Sequence, residues 1–199
     1  RNYYNGGGVA IGDINSDYLP DVYLVANNKS NRLYINKGNM QFKDVTKDAG
    51  VAGSHKWSTG VCMVDINGDG LLDIYVCNSG NIKGDSRANE LFINQGSESG
   101  EIPTFIEAAT DYGIDDNSFS THAAFFDYDN DGDLDLYVLN NAFRAISTFD
   151  LSKNLRHKRD LYGGDKLYRN DGGVFKDVSE ITGIYGSVIG FGLGLMVAD

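Results

Sequence analysis

The segment STGVCMVDINGDGLLDIYVCNSG, residues 58–80, sets an Asp/Asn-rich turn between two apolar runs. It recurs as GGGVAIGDINSDYLPDVYLVANN at 6–28 and as STHAAFFDYDNDGDLDLYVLNN at 120–141. A second signature follows each copy: NRLYINKG, NELFINQG and DKLYRNDG. A third comes next, FKDVT, FIEAAT and FKDVS, and each unit closes on a Gly-apolar step at Gly50-Val51, Gly113-Ile114 and Gly183-Ile184. Fixed-period self-similarity is the mark of a repeat architecture.

Each unit reads as four strands. Strand A runs from Val61 to Val64 in the middle copy, B from Asp73 to Cys77, C from Glu90 to Asn94, and D lies around Phe105. Strand B is apolar with a central aromatic, a pattern suited to burial on both faces. The B–C connection lengthens along the chain while the other spacings hold nearly still, as a loop does on a packed scaffold. Four short strands per repeat predict an all-β fold, a β-propeller of four-stranded blades. The repeat units are 5–56, 57–118 and 119–187, in a single partial propeller spanning 1–199. The final GFGLGLMVAD resembles strand A of a fourth unit, with Asp199 at the first loop position. About three blades are present, and propellers take about four to eight, so the remainder of the ring is expected from further chain.

Composition agrees. Among 199 residues are 25 Gly, 12 Tyr and 10 Phe but only 2 Pro, which suits short strands joined by tight turns. The net charge of −11 disfavours nucleic acid as a partner. No apolar run is long enough to span a membrane. Cys62 and Cys77 occupy positions filled by Ala10 and Val25, and by Ala124 and Leu139, which favours buried thiols over a bridge.

The acids concentrate in the turns. These are Asp13-x-Asn15-x-Asp17-x-x-x-Asp21, Asp65-x-Asn67-x-Asp69-Gly70-x-x-Asp73 and Asp127-x-Asp129-x-Asp131-Gly132-x-x-Asp135. Calcium takes six to eight oxygens with a loose angular preference. Positions 1, 3 and 5 of such a loop supply three, the carbonyl of position 7 (Leu19, Leu71 or Asp133) a fourth, and the position-9 Asp closes the shell. Three divalent ions would bring the formal charge from −11 to −5. An EF-hand requires Glu at position 12 between helices, whereas Leu24, Val76 and Val138 stand there in the middle of strands. Magnesium, which demands an octahedron, fits less well. Tyr18 replaces the position-6 glycine of the first loop, which makes that site the weakest.

These units resemble FG-GAP/VCBS repeats, the calcium-loop blades of the integrin-α propeller. DxDxDGDLDLYV, KLYRNDGG and FKDVS are most similar to the cartilage-acidic-protein branch, the ASPIC/UnbV relatives. The resemblance implies a ring of about seven blades, a secreted, cell-surface or periplasmic location, and a binding or adhesion role with a protein or glycan partner. It implies no catalytic residue, so the chain is not expected to be an enzyme. A propeller domain of a polysaccharide-acting enzyme and a structural subunit of an envelope assembly are the alternatives.

The A–B turns should share one rim with the C–D turns, leaving the B–C and D–A connections on the opposite face. The two expanded loops, 78–88 and 140–164, are both B–C, so that face is the candidate partner surface. The longer insert holds Lys153, Arg156, His157, Lys158 and Arg159 with Phe143, Phe149 and Tyr162. Two readings are open: a docking patch for an acidic polymer or partner protein, and a solvated loop paired with Asp150 and Asp160. His122 stands where the other units have Gly8, Gly60 and Gly194, either meeting a ligand in the central channel or satisfied structurally. Trp57 reads as packing, and Asn28-Lys29-Ser30 matches a glycosylation acceptor.

Overall fold

A computed structural model describes residues 6–54, 57–80, 86–97, 102–142, 153–192 and 194–197. Among the described residues, twelve strands form three antiparallel four-stranded sheets, each a hairpin meander in chain order. The first holds β1 (Val9–Gly12), β2 (Asp21–Leu24), β3 (Arg32–Asn36) and β4 (Phe42–Asp44). The second holds β5 (Ser58–Val64), β6 (Asp73–Asn78), β7 (Glu90–Asn94) and β8 (Phe105–Glu107). The third holds β9 (Ser120–Phe126), β10 (Asp135–Asn140), β11 (Lys166–Asn170) and β12 (Phe175–Asp177). These are three blades of a β-propeller.

The core lies between blades rather than within them. Tyr23, Leu33 and Ile35 of the first blade pack on Val61, Ile74, Val76 and Phe92 of the second. The opposite face of the second blade, with Tyr75, Cys77, Leu91 and Ile93, packs on Ala123, Leu136 and Val138 of the third. Alternation along β6 thus sends Ile74 and Val76 one way and Tyr75 and Cys77 the other, and the whole strand is buried. Cys62 and Cys77 are free thiols. Burial pushes Cys62 up to about 12 and raises Cys77 as well.

One-turn helices follow two of the D strands: α1 (Thr46–Ala49) and α2 (Ala109–Tyr112). Neither has a side-chain N-cap, and each ends on a left-handed glycine, Gly50 or Gly113. The apolar residue after that glycine is then captured by the strand-B tyrosine. Tyr23 Oη donates to Val51 O at 2.6 Å, and Tyr75 Oη to Ile114 O at 2.9 Å.

Strand A is the inner strand, and β5 packs beside both β1 and β9. The approach is close enough that a Cβ on Gly60 would lie 2.5 Å from Thr121 O. At the equivalent place in β9, His122 is half-buried and its Nδ1 donates to Ala123 O at 2.9 Å. Residues 189–197 form no strand among the described residues. Phe191 makes a single bridge to Asn141, and Asp199 lies outside the described residues. Each of β1, β5 and β9 is held by the strand B that follows it.

Rim assignments follow from the contacts. Gly172 N, in the C–D turn, donates to Asp133 Oδ2 of the A–B turn at 3.2 Å. On the other face, Asn27 bridges Trp57, Arg87 N donates to Asn117 Oδ1, and Phe119 N donates to Tyr162 O. The expanded B–C loops therefore meet the D–A linkers, away from the acidic turns. Residues 81–85 and 143–152, with Phe143, Phe149 and Asp150, lie outside the described residues.

Gly60→Ala should destabilise the protein by about 1–3 kcal/mol, because the added methyl meets backbone that cannot step aside. Urea unfolding measures this, and an unchanged midpoint would refute the close approach.

Candidate metal loops

The three A–B turns share one backbone. Position 4 has positive φ at Ser16 (60°), Gly68 (74°) and Asn130 (61°). So does position 6, at Tyr18 (67°), Gly70 (85°) and Gly132 (97°). The second loop meets both requirements with glycine, the third with asparagine and glycine, and the first with neither. Tyr18 holds the left-handed conformation with its side chain 94% exposed, so no packing offsets the strain.

Position 1 organises each turn. Asp13 accepts from Asp17 N (3.0 Å) and Tyr18 N (2.7 Å). Asp65 accepts from Gly68 N, Asp69 N and Gly70 N at 2.8–3.1 Å. Asp127 accepts from Asp131 N and Gly132 N. Position 5 turns back on position 7: Asp17, Asp69 and Asp131 accept from Leu19 N, Leu71 N and Asp133 N. Asn15 and Asn67 donate through Nδ2 to Asp17 and Asp69 at 3.0 and 2.9 Å. The Asn67 amide oxygen in turn accepts from Asp69 N at 3.1 Å.

Position 9 is the anchor. Asp21, Asp73 and Asp135 are fully buried. One oxygen of each accepts from the main chain of the turn, at Ile14 N (3.0 Å), Ile66 N (3.1 Å) or Tyr128 N (2.7 Å). The other accepts from the end of strand C, at Asn36 N (2.8 Å), Asn94 N (2.8 Å) or Asn170 N (2.9 Å). Burial raises the pKa of all three, and neighbouring loop acids push the same way; Asp73 reaches about 6. A divalent cation among these groups reverses the sign of that interaction.

In the third loop, carboxylate oxygens of Asp127, Asp129 and Asp135 lie within 4.8 Å of one another. That spacing fits oxygens around one ion with ligand distances of about 2.3–2.6 Å. Asp133 Oδ1 is buried there with no hydrogen-bond partner. Its pKa is raised by desolvation and by Asp131 and Asp129. The donor set, all carboxylate, amide and carbonyl oxygen, fits a hard cation.

The strand-C asparagines were not read from sequence as parts of the site. Asn36, Asn94 and Asn170 each donate through Nδ2 to the carbonyl before the anchor Asp, at Pro20, Leu72 and Leu134. Their Oδ1 atoms accept from Gly38, Gly96 and Gly173 in the next turn. Asn94 also reaches Ile14 O in the neighbouring blade's loop, at 3.0 Å. The signal was the asparagine shared by NRLYINKG, NELFINQG and DKLYRNDG.

The residues set apart on the opposite face do not join this site. Arg156, His157 and Arg159 line a separate cavity, Lys153 is exposed, and His122 sits on the inner strand. Asn28 is exposed with a φ of 71°.

The FG-GAP-like repeat model matches residues 13–76. Beyond that repeat, the chain is similar to cartilage acidic protein 1 of Mus musculus, 32% identical over 184 residues, 88% of this chain and 27% of that protein. The Homo sapiens protein is 31% identical over 184 residues, 88% of this chain and 26% of its own length. That of Xenopus tropicalis is 33% identical over 147 residues, 73% of this chain and 21% of its own. The chain spans about a quarter of the length of these relatives.

Tyr18→Gly should raise stability by about 1 kcal/mol by removing a left-handed non-glycine residue. Chemical denaturation reads the gain, and a loss would contradict the strain argument.

Proposed function

We propose that this chain is a calcium-stabilised interaction module of an extracellular or cell-surface protein, with its partner on the face opposite the metal loops. The observation that carries the reading is the threefold recurrence of one turn, each closed by a buried aspartate anchored to strand C, with three carboxylates brought together in the third copy. In this reading, side-chain oxygens of Asp13, Asn15, Asp17 and Asp21 hold one ion, with the carbonyl of Leu19. Asp65, Asn67, Asp69, Asp73 and Leu71 hold the second, and Asp127, Asp129, Asp131, Asp135 and the Asp133 carbonyl the third.

The ions act as clips. Each neutralises three or four carboxylates packed in one turn and fixes the A–B hairpin against the start of the C–D turn. The opposite face is left to the expanded B–C loops, where sequence length varies most. Calcium loops of this kind suit the millimolar calcium outside cells. Among the described residues, no helix is long and apolar enough to cross a membrane. Similarity to cartilage acidic protein 1 supports an extracellular setting. No residue is assigned a catalytic role, and the proposed function is binding.

One site held at 100 times its dissociation constant contributes about 2.7 kcal/mol. For a domain of this size that raises the melting temperature by roughly 5–10 °C over the chelated protein. Asp69→Ala and Asp131→Ala should each lower the bound calcium by about one ion per chain in elemental analysis. Superimposable melting curves with calcium and chelator, together with metal-free protein, would refute the reading.

A further inference from the structure

In a chain of net charge −11, residues 153–159 concentrate Lys153, Arg156, His157, Lys158 and Arg159. This segment does not hang free of the blade. Val188 N donates to Lys158 O at 3.0 Å, Asp160 N donates to Gly186 O at 2.7 Å, and Arg159 bridges Ser187. Ser187 Oγ donates to Leu155 O. The basic stretch is therefore tied, through one bridge and the hydrogen bonds around it, to the linker that leaves the third blade.

Among the described residues no nearby acid forms an ion pair with residues 156–159, though Arg159 lies close enough to the Asp165 carboxyl to favour its charged form. Asp160 Oδ1 accepts from Tyr162 N and Gly163 N, both at 3.0 Å, and serves its own turn. Among the described residues, Arg156, His157, Lys158 and Arg159 make no ion pair. Of the two acids in the solvated-loop reading, Asp160 makes no such pair, and Asp150 lies outside the described residues.

Arg159 is held in place. Its Nη1 donates to Ile184 O and its Nη2 to Asp165 O, each at 3.2 Å. Two of its five N–H donors are used and the others remain for a ligand. Gly186 makes room, since a Cβ there would lie 2.6 Å from Nη1. Arg156, His157 and Arg159 line one cavity of about 220 Å³ with Glu180 and Tyr185. The Tyr185 ring, 65% exposed, lies 5.8 Å from that of His157.

We infer that this cavity takes one acidic sugar unit of an anionic polysaccharide. The Arg156 and Arg159 guanidiniums meet its carboxylate or sulfate, geometry that arginine favours. Glu180 accepts from hydroxyls, and the exposed tyrosine ring apposes the apolar face of the pyranose. A carboxylate in the cavity wall disfavours a plain polyanion, whereas a sugar brings donors for it. An acidic peptide brings main-chain donors but no pyranose face for the exposed tyrosine ring, so the polysaccharide is the better match. The inference rests on the proposed partner face and gives it a ligand class.

Calorimetric titration of the calcium-loaded protein should show binding to heparin as the sulfated probe or to polygalacturonate as the carboxylated one, and none to neutral dextran. The two probes separate the sources of the acid group. Arg156→Ala/Lys158→Ala and Tyr185→Ala should each weaken binding roughly tenfold or more without shifting the melting temperature, while Lys29→Ala on the first blade leaves it unchanged. A folded protein that binds neither polysaccharide, or whose two variants both bind as tightly as the unmodified protein, overturns the inference. So does tighter binding of poly-glutamate than of either polysaccharide, which would make the patch a dock for acidic protein. Metal analysis runs separately: a calcium-loaded protein that ignores polysaccharide refutes this site alone, and a metal-free protein that binds it refutes the calcium clips alone.

Discussion

Everything on the acidic rim depends on one buried carboxylate per blade. Asp21, Asp73 and Asp135 each take one main-chain N–H from the turn and one from the end of strand C. Hydrogen bonds to a charged group contribute about 1.5–3 kcal/mol each, and removing the acceptor leaves two donors unsatisfied in the interior. The same carboxylate is crowded by its loop neighbours, which raise its pKa together with burial. The turn is thus held in shape by a group that its own surroundings make costly to ionise. A cation in the cage resolves that conflict, and this is the physical reason for reading the loops as metal sites.

The blades are joined by a second set of constraints, and these differ from joint to joint. Glu90 accepts from Ser54 N and Oγ in the linker that enters its blade, both at 2.8 Å. At the same strand position in the third blade stands Lys166, which pairs with the buried Asp116 at 2.6 Å. Ser118 Oγ also donates to Asp116. The charge order is reversed between the two joints, so a linker suits its own blade better than the next. Such paired polar contacts specify register more than they add stability.

Much of this was legible in the residues. The strands around each loop, the shared rim of the A–B and C–D turns, and strained Tyr18 follow from spacing and from the rarity of left-handed side chains. What escaped was contact between segments far apart in sequence. Nothing local in Asn94 says that its amide will reach Ile14, 80 residues away. The strand-B tyrosines read as packing because periodicity reports burial, and it is silent on where a hydroxyl finds its acceptor. The short helices α1 and α2 lack capping side chains, so the usual start signal was absent. The pairing of residues 155–160 with 186–188 depends on the third blade's linker lying beside its insert, which composition cannot show.

The central claim is that the repeated turns are calcium clips. The most direct measurement is a high-resolution crystal structure grown with calcium, with anomalous scattering to identify the ion. The account predicts one ion in each loop, with ligand distances of about 2.3–2.6 Å. The ligands would include the side chains of positions 1, 3, 5 and 9 and the main-chain carbonyls of Leu19, Leu71 and Asp133. Loops without anomalous density at millimolar calcium, or a six-coordinate ion at about 2.0–2.1 Å, the distance magnesium requires, would contradict it.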